Sequence, residues 1–483
     1  MSEILNLEPK ALWKNFAALN AVPRPSKKEE KVRQFIIQFG ENLGLKVETD
    51  EVGNVLIKKP ATAGMENRKT IVMQSHLDMV CQKNNDVTFD FETQGIEMYI
   101  EDNRFVTANG TTLGADNGIG VATIMAILES DSIAHPAIEA FFTIDEETGM
   151  TGALGLKGGF LSGEILLNLD TEEDDELDIG CAGGIDVTAK KQYVAEAAEG
   201  QTFILTLKGL NGGHSGMQIH EGLGNSNKLI ARLLNQGLAF GLQVAHMEGG
   251  SLRNAIPREA WAKIVIPTTN VAAFKTAYET LRAEIIEEYQ TLEANLTITL
   301  EETEAADKAM SVVDTKVFVQ SIMAAFNGVY RMSPDVAGLV ETSNNVARVE
   351  VIEGNVKVLC LTRSSVDSNK MALAETLKAS FELAGYEVKF SGSYPGWKAN
   401  PHSEILEIMK GIYVNLNGEE PKVVACHAGL ECGIIGTNYP GLDMISFGPN
   451  ISGAHSPDEK VEIVSVQKYW KYLLEVLKEI PVK

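Results

Sequence analysis

Cysteine is scarce and scattered. There are five, Cys81, Cys181, Cys360, Cys426 and Cys432, an odd number with no C-x-x-C pair. Neither a disulfide framework nor a structural zinc knuckle is expected from such spacing. A metal in this chain would have to be held by His, Asp and Glu. Basic residues are few: 42 against 66 acidic ones, a formal net charge of −24. That surface repels phosphate backbones and anionic lipid, so neither nucleic acid nor a membrane is an expected partner. No uninterrupted apolar run is long enough to span a bilayer. Residues 1–16 are mixed and acidic, without the basic and apolar regions of a secretory signal. Together with the unpaired cysteines, this makes a cytoplasmic location the expectation. Low-complexity linkers and clear internal repeats are missing too.

The chain does have ample material for a core. Of 483 residues, 44% are hydrophobic, and the length suggests more than one domain. Helical patterns cover residues 9–18 and 27–43, with Ser26 placed to cap the second. Residues 47–58 read as a hairpin turning at 52–54. Short apolar runs at 70–74, 137–144 and 164–169 suit buried strands, and an apolar helix at 118–128 follows the Gly-rich loop TANGTTLGADNGIG. Strands separated by helices predict an α/β fold, a mixed sheet flanked by helices. The middle of the chain differs, with a glycine-rich turn at 209–216 between a strand at 203–207 and two amphipathic helices. The expected layout is an α/β domain of residues 1–184 and 397–483, interrupted by an α+β insert at 185–396.

Chemistry-bearing residues fall just after the predicted strands or in Gly-rich loops. SHLD carries His76 and Asp78, LGADNG carries Asp116, TIDEETG carries Glu146 and Glu147, LNLD carries Asp170 and SGAHSP carries His455. Ligands of open α/β sheets gather beyond the carboxyl ends of the strands, so these residues can converge on one crevice. His76 and Asp78 are two apart and share a side in an extended chain, which lets Asp78 orient the imidazole. Asp116, where a loop enters a helix, is placed to bridge two cations. Adjacent Glu146 and Glu147 can serve one as ligand and the other as base. Imidazole with carboxylate suits zinc, with manganese or cobalt as substitutes. Each piece alone is common on protein surfaces; their combination in this order is specific. The acidic run 170–178 reads as solvated loop beyond its first residue.

SHLDMV, TTLGADNGIG, IDEETGMTGA, LNLDTEE, GLNGGHSG, NAIPRE and GAHSPDE resemble the signature segments of the M20 metallopeptidases, over essentially the whole chain. Length and segment form resemble the aminoacyl-histidine (Xaa-His) dipeptidase branch. The resemblance implies a zinc-peptidase catalytic domain interrupted by a lid, two Zn2+ per chain, and hydrolysis of unblocked dipeptides. It implies His76 and Asp170 on one zinc, Glu147 and His455 on the other, and Asp116 between them. Asp78 would support His76, and Glu146 would be the general base. His214 in the lid would donate to the oxyanion. Arg363 in CLTRSS would bind the substrate carboxylate with Asn254 as its companion amide; Arg253 is a weaker candidate, and His427 would border the pocket or serve structure. The expected partner is a small peptide substrate, and the long lid leaves a homodimer open. Rival readings are an M20-type tripeptidase, carboxypeptidase or deacylase, a non-catalytic metal- or peptide-binding protein, and a structural protein with vestigial metal loops.

Overall fold

The structure, a computed structural model, describes residues 3–483. They group into two compact units: the chain up to Gly180 with Ala399–Ala425 and Leu430–Lys483, and Cys181–Lys398 with Cys426–Gly429. The short return of 426–429 to the second unit has no counterpart in the sequence reading.

The first unit is built on an eight-stranded mixed sheet. Its order is Lys46–Thr49, Val55–Lys59, Ile138–Thr143, Ile71–His76, Ile165–Asn168, Asp443–Ser446, Glu176–Cys181 and Lys422–Cys426. Ile71–His76 runs parallel to both neighbours, with His76 level with Thr143 and Gln74 level with Asn168. Every residue of these three strands is buried. Unbroken apolar runs, rather than alternation, are what parallel strands covered on both faces require. Their carboxyl ends therefore lie side by side, and the chain leaves them carrying His76, then Glu146 and Glu147, then Asp170.

The helix Ala115–Glu129 is buried along nearly its whole length and packs beside the central strand. Its first residues, Asp116 and Asn117, have non-helical backbone and are joined by a cis peptide. Gly120 permits the close approach: a Cβ there would stand 2.4 Å from Ser75 Oγ and 2.7 Å from the Leu169 carbonyl. A four-stranded sheet, ordered Ile451–Ser452, Lys460–Glu462, Phe105–Ala108 and Met98–Glu101, carries the loop of His455.

Two expectations need correction. Ser26 does not cap a helix. The helix is Glu30–Asn42, because a turn closed by the Lys28 N–H and the Pro25 carbonyl precedes it and Lys27 is left-handed at φ 65°. The Ser26 hydroxyl instead donates to Asp78 Oδ2 at 2.8 Å. The acidic run after Asp170 is not mainly solvated either: Glu176–Cys181 is a sheet strand, Asp178 is buried and accepts from the Thr171 hydroxyl, and only Glu173 is exposed.

The second unit is an antiparallel sheet ordered Thr297–Glu302, Gln201–Lys208, Ala260–Ile266, Gln243–Gly249, Val340–Ile352, Asn355–Ser364, Gly183–Gln192 and Glu387–Tyr394, with Gly328–Met332 beside Val340–Ile352. Leu229, Leu233, Phe274, Ile285, Phe318, Ile322, Leu377 and Phe381 come from four helices, Ser226–Gly237, Val271–Tyr289, Val312–Ala324 and Asp367–Leu383. They join the sheet's Val187, Leu205, Ile264 and Val349 in one core. No helix among the described residues is long and apolar enough to cross a membrane.

Candidate metal centre and active site

At the carboxyl ends of the parallel strands the acidic and imidazole groups meet. Ligand atoms of His76, Asp116 and Asp170 lie within 4.8 Å of one another, as do those of Asp116, Glu147 and His455. Asp116 belongs to both groups. Its Oδ1 is 3.1 Å from His76 Nε2 and its Oδ2 is 3.1 Å from His455 Nε2. Asp170 Oδ1 stands 3.5 Å from His76 Nε2, and Glu147 Oε2 stands 3.0 Å from His455 Nε2. Each oxygen of one carboxylate thus faces a different imidazole, which in turn faces a second carboxylate. Glu146, with Glu147 and His76, forms a third such group.

The surroundings orient these donors. His76 Nδ1 is 3.2 Å from the Asp78 carbonyl and 3.4 Å from Asp78 Oδ1. A proton on Nδ1 satisfies both and leaves Nε2 to face Asp116 and Asp170. Asp78 does more than steady the imidazole: its Oδ1 accepts the Glu146 N–H at 3.0 Å and its Oδ2 the Glu147 N–H at 3.2 Å. One buried carboxylate therefore places His76, Glu146 and Glu147 together.

Electrostatically the centre is short of positive charge. Burial pushes Glu146 well above the ordinary carboxylate range, and burial likewise raises Glu147 and Asp170. Burial works against protonation of His76, but Asp170, Asp116 and Asp78 hold its pKa well above the usual value. Hydrogen bonds to Asp116 and Glu147 push His455 up to about 11. Burial would raise Asp116, yet His455 and His76 outweigh it and lower its pKa. A buried cluster in which burial disfavours the charge on several carboxylates is one that cations would stabilise. Glu147 Oε1 and Asp170 Oδ1 are buried and have no hydrogen-bond partner. Such unsatisfied oxygens beside two imidazoles fit a pair of divalent cations.

Two buried acids, Glu431 and Glu459, and the partly buried Glu172 escaped the sequence reading. Glu172 is pushed up to about 8, first by burial and then by Asp116. Glu431 is also raised to about 8 by burial, and accepts from the Gln74 amide at 2.7 Å and the Thr143 hydroxyl. Glu459 binds the backbone leading into Asp116. Glu172, in LNLDTEE, and Glu459, in GAHSPDE, each sit within four residues of a candidate ligand; Glu431 carries no such signal.

The remaining candidates lie in the second unit. Gly213–His214 pairs with Ala255–Ile256, and the Ser215 N–H reaches the Asn254 carbonyl at 2.8 Å, so His214 and Asn254 are neighbours. His214 Nδ1 accepts the N–H groups of Gly216 at 3.3 Å and Met217 at 3.1 Å. That assignment puts the ring proton on Nε2 and makes the far side of the ring a donor. Asn254 is exposed, and the Asn345 amide holds its turn by donating to the Arg253 and Ala255 carbonyls. Arg363 is the penultimate residue of the strand Asn355–Ser364 and donates to the Tyr394 hydroxyl at 3.1 Å, while its buried Nε has no partner. Arg253 is already engaged by Asp186 and the Val187 and Cys360 carbonyls. His427 Nε2 lies 2.8 Å from the Ser343 hydroxyl; burial, with the charge of Arg363 second, lowers its pKa to about 3.

Residues 72–479 match the family model described as peptidase family M20/M25/M40. The chain is 45% identical, over the whole of both sequences, to the cytosol non-specific dipeptidase of Escherichia coli K12. It is 45% identical to the aminoacylhistidine dipeptidase of Vibrio alginolyticus, whose crystal structure it covers completely with a TM-score of 0.93. A tripeptidase of Staphylococcus aureus, 16% identical with a TM-score of 0.57 over 98% of this chain and 99% of that one, shares the fold. An Asp116 shared between two histidines, at the strand ends of a chain matched over this length, makes the protein a member of peptidase family M20/M25/M40.

Proposed function

We propose that this protein is a cytosolic two-zinc dipeptidase that hydrolyses unblocked dipeptides, those with a C-terminal histidine among them. The observation that carries the reading is Asp116, whose two oxygens face His76 and His455 separately. His76 and Asp170 would hold one ion, Glu147 and His455 the other, with Asp116 common to both; manganese or cobalt would suit the same donors. The dipeptidase names of the two relatives at 45% identity support the substrate class, and the name of the first supports the cytosol.

When bound, the two cations supply Lewis-acid charge at the scissile carbonyl and at the attacking water. The chain's own groups do the rest. Glu146, held with a raised pKa by burial, accepts the proton of the attacking water and delivers it to the leaving amine. Asp78 keeps His76 in the tautomer that presents Nε2. The second unit corresponds to the lid that the family resemblance implies. His214 offers its Nε2 proton to the developing oxyanion. The buried, incompletely paired guanidinium of Arg363 takes the substrate carboxylate, with Asn254 as companion amide. Peptides longer by a residue would place their carboxylate beyond that arginine.

Metal removal tests the proposal. Exhaustive chelation should abolish dipeptide hydrolysis, zinc should restore it, and elemental analysis should find about two ions per chain. Full turnover in metal-free protein would refute it.

A further inference from the structure

Glu459 and Arg24 are both buried, at 2% and 1% exposure, and neither belongs to the proposed catalytic set. Glu459 lies four residues after His455. Its Oε2 accepts the N–H groups of Leu113 at 2.8 Å and Gly114 at 2.9 Å. Its Oε1 accepts those of Ala115 at 2.7 Å and Asp116 at 3.3 Å. Four consecutive amides thus converge on one carboxylate, a backbone anion cradle filled from another loop. Arg24 approaches the same loop from the other side. Its Nη2 donates to the Gly114 carbonyl and to Asn20 Oδ1, and its Nη1 to the carbonyls of Leu77 and Asp78, each at 3.2 Å. The Asp78 carbonyl is the same one that faces His76 Nδ1.

The loop's glycines are shaped around the guanidinium. Gly114 sits at φ 70°, and a Cβ on it would come within 2.4 Å of Arg24 Nη2; one on Gly118 would come within 2.6 Å. Asn20 adds a bond to the Leu113 carbonyl at 2.9 Å. We infer that Arg24 and Glu459 are positioning residues that clamp together the backbones bearing His76 and Asp78, Asp116, and His455, and so set the spacing of both metal sites. The guanidinium's planar fork spans two chain segments, which a lysine ammonium could not do with the same geometry. The carboxylate ties the His455 loop to the residue that both sites share.

The inference rests on the proposed two-metal reaction, and it is tested by comparing Glu459→Gln with a buried carboxylate of similar structural duty. Glu139 is 3% exposed and accepts the N–H groups of Ser162 at 2.8 Å and Gly163 at 3.0 Å. It lies near the amino end of its strand, away from the centre. Full-length variants would be titrated with Co2+, following the visible d–d absorption and the affinity, and assayed for kcat and KM on a free dipeptide at saturating metal. Glu459→Gln should weaken metal binding or kcat on the order of 10- to 100-fold, the scale of changes behind metal ligands, with KM little moved and the cobalt spectrum altered. Arg24→Lys should do the same. Glu139→Gln should lower thermal stability and leave spectrum and kcat as in the unaltered protein. A native spectrum, metal affinity and kcat in both Glu459→Gln and Arg24→Lys would overturn the clamp. If Glu459→Gln fails to fold, Glu459→Asp, which keeps the charge but shortens the reach, decides by the same spectrum. Should the unaltered protein bind two Co2+ yet cleave no dipeptide, the proposed reaction falls, while the titration still decides the clamp.

Discussion

Glu146 and Glu147 share one acceptor, Asp78, which takes both of their backbone N–H groups, yet their carboxylates have different surroundings. Glu147 points an oxygen at His455, 3.0 Å away, while Glu146 is raised well above its ordinary pKa by burial. Glu146→Gln keeps the shape and removes the proposed base. Metal content should be unchanged and turnover should fall by roughly 10²-fold or more; loss of metal in that variant would mean the two roles are exchanged. The acids and histidines that meet here were visible in the sequence because H-x-D, D-E-E and L-D stood directly after apolar runs and Asp116 and His455 in Gly-rich loops. Arg24 and Glu459 were not, since their partners are main-chain amides and carbonyls, which leave no mark on residue type. Ser26 misled for a related reason: a serine before a helical pattern satisfies the capping rule, but here its hydroxyl finds Asp78 instead.

Elements with strong patterning were legible, and weakly patterned ones were not. The buried strands Ile71–His76, Ile138–Thr143 and Ile165–Asn168 announce themselves through short apolar runs. Met98–Glu101 and Phe105–Ala108 are four residues each, with burial on no regular period, and their pairing with Lys460–Glu462 is set by tertiary contact. The helix Val312–Ala324 went unread because valines stand at its exposed start, where they favour a strand assignment. Packing of the helix Ala115–Glu129 on the central strand depends on Gly120. Gly120→Ala pushes a methyl toward Ser75 Oγ and the Leu169 carbonyl, and should destabilise the first unit by about 1–3 kcal/mol, the usual cost of overpacking. Denaturant unfolding followed by a probe in that unit checks this, and an unchanged midpoint would show that helix and strand separate freely.

At the scale of the whole chain, the candidate residues divide between the two units: His76, Asp78, Asp116, Glu146, Glu147, Asp170 and His455 lie in one, and His214, Asn254 and Arg363 in the other. The sequence suggests an insert at 185–396 through its change of pattern. It could not reveal that residues 426–429 return to it, because no composition change marks so short a crossing. Whether the lid serves its own chain or a neighbour's can be asked by mixing inactive variants. His214→Ala should lower kcat by about 10²-fold, the cost of one oxyanion donor. Mixed with Glu146→Gln chains it should stay inactive if the long lid closes on its own catalytic unit, whereas recovered turnover would place the site across a homodimer.

Recognition of a carboxylate one residue beyond the scissile bond is what separates a dipeptidase from a tripeptidase, and rejection of longer peptides is what separates it from a carboxypeptidase. The decisive measurement is kcat/KM for a free dipeptide against its C-terminal amide, in the zinc-loaded protein and in Arg363→Ala. The unaltered enzyme should cleave the free dipeptide far better than the amide, and Arg363→Ala should erase most of that preference by lowering the first rate much more than the second. Equal cleavage of dipeptide, amide and longer peptides by the unaltered enzyme, or equal losses for dipeptide and amide in Arg363→Ala, would contradict it.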